Sequence, residues 1–178
     1  MSAKNEAETS LSIGSEKTSQ EPIQQFLTFK VSNEEYGVSL MSVREIKGWA
    51  KATRLPNSPE FMKGVINLRG VVIPIFDLRK RFKMGDTEPN EKNVVIMLAV
   101  GKRLIGILVD AVSDILNVNS SEVRPAPHVE SKIEADFVSG IISIDEKMVV
   151  ILDIQKVFDT ETLSAAEKVS KKTEIPEG

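Results

Sequence analysis

Two stretches of the chain decide its fold: FMKGVINLRGVVIPIFDLRKRF at residues 61–82 and FVSGIISIDEKMVVILDIQKVF at residues 137–158. Phe61, Gly64, Asp77 and Phe82 of the first stretch recur in the second, each displaced by 76 positions without a gap. The segments upstream of them also match, since FLTFKVSNEEYGVSLMSVREI at 26–46 aligns with VIMLAVGKRLIGILVDAVSDI at 95–115, displaced by 69. A repeat of this length indicates that the chain is built from two copies of one small unit.

Short apolar runs bounded by Gly, Asn, Asp and Pro predict strands in both copies. The runs lie at residues 26–31, 36–40, 65–68, 71–77, 94–100, 104–109, 139–144 and 148–152. Tight turns separate them in pairs, so we expect antiparallel hairpins. Pro74 cannot donate to a ladder and predicts an edge strand or a bulge. Short helices are predicted at 59–63, with Ser58 as N-cap, at 78–82, and from Asp153 to a frayed end near Ser170.

Each copy holds about 65 residues, a size at which a single core is marginal, so we expect the copies to share apolar surface. Closing each sheet into a barrel would remove its exposed edges. The predicted fold is therefore mainly all-β: two pseudo-repeated five-stranded barrels around a shared hydrophobic core, with short helices and a C-terminal helix. We place the first barrel at about residues 26–90 and the second at about 93–158.

The two ends of the chain differ in composition from this body. Residues 1–22 are rich in Ser, Glu, Lys and Thr without sustained apolar periodicity, which predicts a disordered tail. Residues 161–178 predict a polar, partly helical C-terminal tail. Residues 23–160 are left as the folded domain.

The composition excludes several classes of function. The 178 residues include no Cys and one His, which removes thiol nucleophiles and Cys/His zinc sites, and we expect no metal or cofactor. A net charge of −3 lacks the basic footprint of a nucleic-acid binder. No run approaches the roughly 18 apolar residues that span a bilayer, so we expect a cytoplasmic protein without membrane insertion.

Three titratable residues are candidates for catalysis. Asp77 and Asp153 occupy equivalent repeat positions and could act as acid and base, while His128 lies in the segment RPAPHVES. The stronger interpretation is structural, because each aspartate follows a strand and precedes a short helix, where a carboxylate caps free N–H groups. His128 has no nucleophile beside it in sequence and is expected to be a solvated loop residue. A small enzymatic or ligand-binding barrel that uses these three residues is the alternative.

Arg69, in the tetrapeptide NLRG, is the strongest candidate for a binding residue. It lies at a predicted hairpin turn, and its repeat counterpart is Asp145, so the repeat is broken in charge there. A guanidinium can anchor a carboxylate with two hydrogen bonds, although a solvated turn arginine has the same sequence pattern. The segment VREI at 43–46 combines apolar and charged residues as binding patches do, but a half-buried strand or helical turn has the same composition.

Four segments together resemble the chemotaxis coupling proteins of the CheW family: EEYGVSLMSVREI, LPNSPEFMKGVINLRGVVIPIFDLRKRF, GILVDAVSDIL and RPAP. The resemblance covers about residues 24–160 and is most specific around NLRG. It implies two five-stranded SH3-like barrels and a non-enzymatic adaptor that couples methyl-accepting chemoreceptors to the histidine kinase CheA. It further implies receptor arrays at the inner face of the membrane, docking on the regulatory domain of the kinase, and a receptor tip that lies in a groove between the halves.

The resemblance also implies roles for single residues. Val43 and Glu45 of VREI, Arg69 of NLRG, and Ile115 match family positions linked to receptor contact. Gly64 matches a position linked to kinase binding, through local backbone shape. The alternative within the family is a coupling protein of another chemosensory pathway, such as one that controls twitching motility.

Overall fold

The computed structural model describes residues 21–126 and 134–172. His128, most of the predicted N-terminal tail and residues 173–178 lie outside these ranges. The described part forms ten strands: β1 Ile23–Val31, β2 Glu34–Ser39, β3 Val43–Gly48, β4 Met62–Leu68, β5 Val71–Asp77, β6 Val94–Val100, β7 Arg103–Val109, β8 Ala111–Asn119, β9 Val138–Ile144 and β10 Lys147–Leu152. Its three α-helices are α1 Leu78–Arg81, α2 Ile154–Val157 and α3 Thr160–Lys172. All eight predicted strand runs fall on observed strands, except that Leu40 lies just beyond the end of β2.

The strands form two five-stranded sheets that are equivalent under the repeat. The strand order is β8-β1-β2-β10-β9 in the first sheet and β3-β6-β7-β5-β4 in the second. Replacing each strand by its repeat counterpart converts one order into the other. The predicted fold class is confirmed, since the protein is mainly β and consists of two SH3-like five-stranded units.

The assignment of one barrel to each half of the chain is wrong. The first sheet takes its β1–β2 hairpin from the first copy and β8, β9 and β10 from the second, and the second sheet does the converse. The chain crosses between the sheets at Leu40–Ser42, after β2, and at Asp110, after β7. Hairpins are local and were visible in the sequence, but the pairing of β8 with β1 joins residues such as Ile115 and Leu27 that are far apart along the chain. Exchange makes each sheet depend on both copies, which suits units too small to hold a core alone.

Three local predictions also need correction. The helix predicted at 59–63 is absent: the Met62 N–H donates to the Pro59 carbonyl in a turn, and Ser58 Oγ donates to the Leu55 carbonyl instead of capping. The helix predicted from Asp153 is divided into α2 and α3, since the backbone leaves helical geometry at Phe158, with φ −121° and ψ 81°. Pro74 lies in an inner strand, but the ladder of β5 with β7 begins only at Ile75, so its missing N–H costs no bond there.

The predicted shared core is confirmed. A large buried cluster lies between the sheets and combines Phe29 and Tyr36 of the first sheet with Phe76 and Leu98 of the second. Two smaller clusters fill the individual sheets, one around Phe26 and Ile151 and the other around their repeat counterparts, Val95 and Ile75. Each such side chain contributes roughly 1.5–3 kcal/mol by leaving water.

Candidate partner-binding site

The hairpin turn between β4 and β5 holds Arg69 in a left-handed conformation. Its φ is 54° and that of Gly70 is 85°. Positive φ at both central residues is typical of a type I′ turn, whose twist matches that of the flanking hairpin strands. The Gly70 N–H donates to Asn67 Oδ1 at 2.9 Å, which fixes the turn. A β-carbon in this region costs about 1 kcal/mol or more, so arginine is a poor choice for stability at this position.

Two predicted receptor-contact residues meet beside this turn. Glu45 lies on β3, the edge strand of the second sheet, and its Oε2 is 3.7 Å from Arg69 Nη1. The Arg69 side chain is 77% exposed and that of Glu45 is 33% exposed, so water screens the pair, which is worth about 0–1 kcal/mol. Such a pair can exchange its internal contact for a charge on a partner at little cost.

Glu45 and Arg69 border a surface recess of about 330 Å³. Its apolar lining comes from Leu68, Met97, Ala99 and Leu104, and three further cations surround it: Arg44, Lys102 and Arg103. Arg103 is also bound to α3, where its Nε and Nη2 donate to the Glu167 carboxylate at 2.8 and 3.3 Å. We call these residues the basic recess. Its chemistry suits an acidic partner that also presents an apolar group.

The other two predicted receptor-contact residues lie elsewhere. Val43 begins β3 and packs, half-buried, against the central core. Ile115 lies on β8 of the other sheet and is 47% exposed. Ile115 is the repeat counterpart of Ile46, which is exposed to nearly the same extent on β3. The structure therefore unites Glu45 and Arg69, keeps Val43 on the same strand and separates Ile115.

Gly64 is a packing position. Its φ of 149° and the register shift between Met62 and Gly64 place it at a bulge in β4. A β-carbon there would collide with the Thr53 backbone carbonyl, which accepts from the Val65 N–H at 2.9 Å. Glycine thus lets the 49–61 loop lie against β4, and because it has no side chain it can affect a partner only through the backbone.

The two aspartates cap helices. Asp77 is 1% exposed, and its carboxylate accepts from the N–H of Arg79 and Lys80 at the start of α1 and from Thr87 Oγ1 at 2.7 Å. Asp153 accepts from the Gln155 N–H at 3.1 Å at the start of α2. The capping interpretation is confirmed for both residues.

A groove of about 280 Å³ lies where the two sheets meet on one side of the molecule. Ser39, Ser139 and Ile151 line it from the first sheet, Ala99 lines it from the second, and Ser42 lies in the crossing segment. The family resemblance implies a receptor tip in a groove between the halves, and for this groove that stays a prediction.

Comparison with known proteins identifies the family. The sequence-family model of the CheW-like domain matches residues 25–162. The chain is 40% identical to chemotaxis protein CheW of Klebsiella aerogenes, covering 83% of this chain and 89% of that protein. It is 43% identical to the probable chemotaxis protein CheW of Rhizobium etli, covering 80% and 91%. The chain belongs to the CheW-like domain family.

A solved CheW structure has the same architecture. The crystal structure of the scaffolding protein TtCheW from Thermoanaerobacter tengcongensis matches with a TM-score of 0.72 at 30% identity, over 81% of this chain and 93% of that one. Among the described residues of this CheW-like chain, no helix is both long and apolar enough to cross a membrane.

Sequence reasoning singled out Glu45 and Arg69, and Arg44 only as part of VREI; it missed the cations Lys102 and Arg103 of the basic recess in this CheW-like chain. Lys102 and Arg103 come from the β6–β7 turn, which lies more than 30 positions from Arg69 in sequence. Arg44 is visible within VREI, but only the edge position of β3 brings it beside the turn. The one available signal was a pair of cations at a predicted turn, and charged residues at turns are usually only solvated.

Proposed function

We propose that this protein is a non-enzymatic adaptor of bacterial chemotaxis that couples methyl-accepting chemoreceptors to the histidine kinase CheA. Membership of the CheW-like family supports this role, as does similarity to chemotaxis proteins CheW and to the scaffolding protein TtCheW. The protein would act at the inner face of the membrane, within receptor arrays. Signal would pass as a coupling free energy between two binding sites on one body.

The basic recess is the proposed receptor site, and the Glu45–Arg69 pair is the observation that carries the proposal. An exposed arginine kept at a strained turn position is explained if it binds a partner, because it adds nothing to the core. Glu45 beside it would fix the register of the partner through a second charge contact. The apolar lining would supply affinity while the charges select the partner.

The proposed kinase-binding role of Gly64 acts through backbone shape. Gly64 holds the 49–61 loop against β4, so the surface that this loop forms depends on it. Val43, half-buried at the start of β3 and packed against the core, would hold the strand in place for this contact, and Ile115 would offer an apolar contact from the other sheet.

A reconstitution tests the adaptor role. Purified protein is mixed with CheA and soluble cytoplasmic receptor fragments, and complex size and kinase autophosphorylation are measured. We expect a ternary complex at micromolar concentration and raised autophosphorylation. The absence of a complex at that concentration would refute the adaptor role.

Charge reversal tests the recess. Arg69→Glu should weaken receptor binding by about tenfold or more, because it places a carboxylate where the partner needs a cation. Arg54→Glu is the control, since Arg54 is an exposed arginine outside the recess. Equal losses in both variants, or a collapse of the melting temperature in Arg69→Glu alone, would contradict the assignment of Arg69 as a binding residue.

A further inference from the structure

The Arg81 side chain lies between two phenylalanine rings that the repeat makes equivalent. Its Cζ is 4.8 Å from the centroid of the Phe61 ring and 4.7 Å from that of the Phe137 ring. Phe61 and Phe137 correspond in the two copies, 76 positions apart. A guanidinium stacks well on aromatic faces, and the attraction is stronger where water is excluded. One cation from the first copy thus contacts the same side chain of both copies.

A third contact of Arg81 reaches its own repeat counterpart, Val157. Arg81 ends α1, Val157 ends α2, and Arg81 Nε donates to the Val157 carbonyl at 2.9 Å. In a two-fold arrangement, residues that contact their own counterparts lie beside the axis. Arg81 therefore lies beside the axis that relates the two copies. One arginine there serves both rings, whereas an arginine at each position would oppose like charges at close range.

These contacts join the two sheets. Arg81 follows β5 of the second sheet, whereas Phe137 precedes β9 and Val157 follows β10, which both belong to the first sheet. The described strands of the two sheets share no ladder, and the sheets meet through the central core. Apolar packing has little directional preference, but a hydrogen bond and a stacked guanidinium have defined geometry. Arg81 therefore helps to fix the angle between the sheets.

On one side, Arg81 contacts the loop proposed for kinase binding. Phe61 is the last residue of the 49–61 loop, which Gly64 allows to lie against β4. The Phe61 carbonyl accepts from the Asp77 N–H at 2.7 Å, so this end of the loop is tied to the end of β5, directly before α1. The position of the loop end and that of Arg81 therefore depend on one another.

On the other side, Arg81 contacts the sheet that lines the groove between the halves. Phe137 directly precedes β9, and Ser139 of that strand lines the groove. Ala99 of β6 lines the same groove from the second sheet. The width of the groove therefore depends on the angle between the sheets, which Arg81 helps to hold.

We propose that Arg81 is a positioning residue for receptor control of the kinase. It fixes the angle between the sheets and the end of the 49–61 loop together, so the groove predicted for the receptor tip and the surface proposed for kinase binding respond to one another. Coupling between two sites can pass through packed side chains and hydrogen bonds of this kind. The proposal rests on the adaptor role proposed above, and it requires no contact of Arg81 with either partner.

The test measures coupling separately from binding. The dissociation constant of CheA is measured with and without the soluble receptor fragment, and the ratio of the two values is the coupling factor. Arg81→Met keeps the length of the side chain and removes its charge and its donor. We expect its separate affinities for CheA and for the receptor fragment to stay within about twofold of wild type, and its coupling factor to fall by about fivefold or more. Arg81→Lys should retain part of the coupling, because an ammonium still interacts with the rings.

Two further variants make the test specific. Lys80→Met is the matched control, because Lys80 lies on the same helix and its ammonium pairs with Asp86 at 3.3 Å. Its coupling factor should equal that of wild type. Phe61→Leu removes one of the two rings and keeps an apolar side chain, and it should lower the coupling factor as Arg81→Met does. Melting curves set a temperature at which the variants are folded.

Three results would overturn the proposal. The first is wild-type coupling in folded Arg81→Met or in folded Phe61→Leu. The second is a loss of separate CheA affinity that accounts for the whole change in the ternary complex, since Arg81 would then support a binding surface only. The third is a wild-type chain that binds both partners with a coupling factor of one. A wild-type chain that forms no complex refutes the adaptor role itself.

Discussion

Asp77 and Asp153 occupy equivalent places in the two copies, but their surroundings differ. Asp77 is buried, and besides its two cap bonds it accepts from both the N–H and Oγ1 of Thr87, with Lys63 Nζ 3.7 Å away. Asp153 is partly exposed and accepts from the Gln155 N–H. The difference arises from the segment after each helix, since the 83–93 connection returns over Asp77 on its way to β6, whereas the second copy continues into α3. Both copies thus contain the aspartate helix cap, but only in the first copy does a following segment, the 83–93 connection, cover it.

The largest expected effect comes from removing the two carboxylates separately. Asp77→Ala should lower the free energy of unfolding by about 3–4 kcal/mol, because it leaves several buried donors without an acceptor. Asp153→Ala should lower it by about 1 kcal/mol, the usual value of one helix cap. Denaturant unfolding curves measure both. Losses of equal size would show that the 83–93 connection adds nothing to the cap.

The second effect compares two glycines at equivalent bulges. Gly64→Ala should cost about 3 kcal/mol, because its φ is 149° and the added carbon meets the Thr53 backbone, which cannot move without breaking two bonds to Val65. Gly140→Ala should cost about 1–2 kcal/mol, because its nearest obstacle is the Val123 side chain, which can shift.

Kinase binding sharpens this second comparison. If the role of Gly64 is backbone shape, Gly64→Ala should weaken CheA binding even at a temperature at which the variant is fully folded, while Gly140→Ala should not. Native-like CheA affinity in folded Gly64→Ala would remove Gly64 from the kinase-binding surface.

The parts of the fold that could be predicted from sequence are local or repeated. The β4–β5 and β9–β10 hairpins follow from apolar runs beside tight turns, and the caps follow from an aspartate between a strand and a short helix. The exchange of strands could not be predicted, because the choice of partner for β3 and β8 depends on packing between residues distant in sequence. β8 was missed as a strand since its exposed Ser113, Asp114 and Ile115 break the alternation of polar and apolar residues.

The candidate site was predictable to a similar degree. Arg69 and Glu45 were found from a charge-breaking turn and a mixed segment, and the structure brings them together. The recess that they border could not be predicted, because its other cations come from the β6–β7 turn and from the edge strand β3. A single sequence carries no signal for which of two equivalent turns will be bordered by cations.

The third prediction compares substitutions at the two equivalent hairpin turns, where a smaller effect on stability is expected. Arg69→Asn should raise the free energy of unfolding by about 0.5–1 kcal/mol, because asparagine tolerates the left-handed region better than arginine. Asp145→Asn should change it by less than about 0.5 kcal/mol, since aspartate already tolerates that region. Thermal and denaturant unfolding measure stability, and receptor binding is measured alongside. Arg69→Asn should stabilise the protein and weaken binding; a loss of stability instead would make Arg69 structural.

The smallest expected effect on stability concerns the start of α3, where the two copies no longer have equivalent structures. Asp159 immediately precedes α3, whereas its counterpart Lys83 has a φ of 59° and follows α1. The Thr162 N–H donates to the Asp159 carboxylate at 2.8 Å, and this bond, with a smaller contribution from the charge of Arg81, lowers the pKa of Asp159 below its ordinary value of 3.8. A lowered pKa in the folded state means that the ionised form stabilises the fold.

The contribution of Asp159 should therefore be complete above about pH 5 and be lost as the pH falls below 3.8 through the folded pKa. Asp159→Asn keeps a hydrogen-bond acceptor but does not titrate, so wild type should be the more stable protein at pH 6, by well under 1 kcal/mol, and the difference should shrink towards pH 3. Denaturant unfolding at pH 3, 4, 5 and 6 measures it, with helix content from circular dichroism. Lys83→Gln serves as control because lysine does not titrate in this range. Parallel pH profiles of wild type and Asp159→Asn would mean that the α3 cap has no electrostatic component.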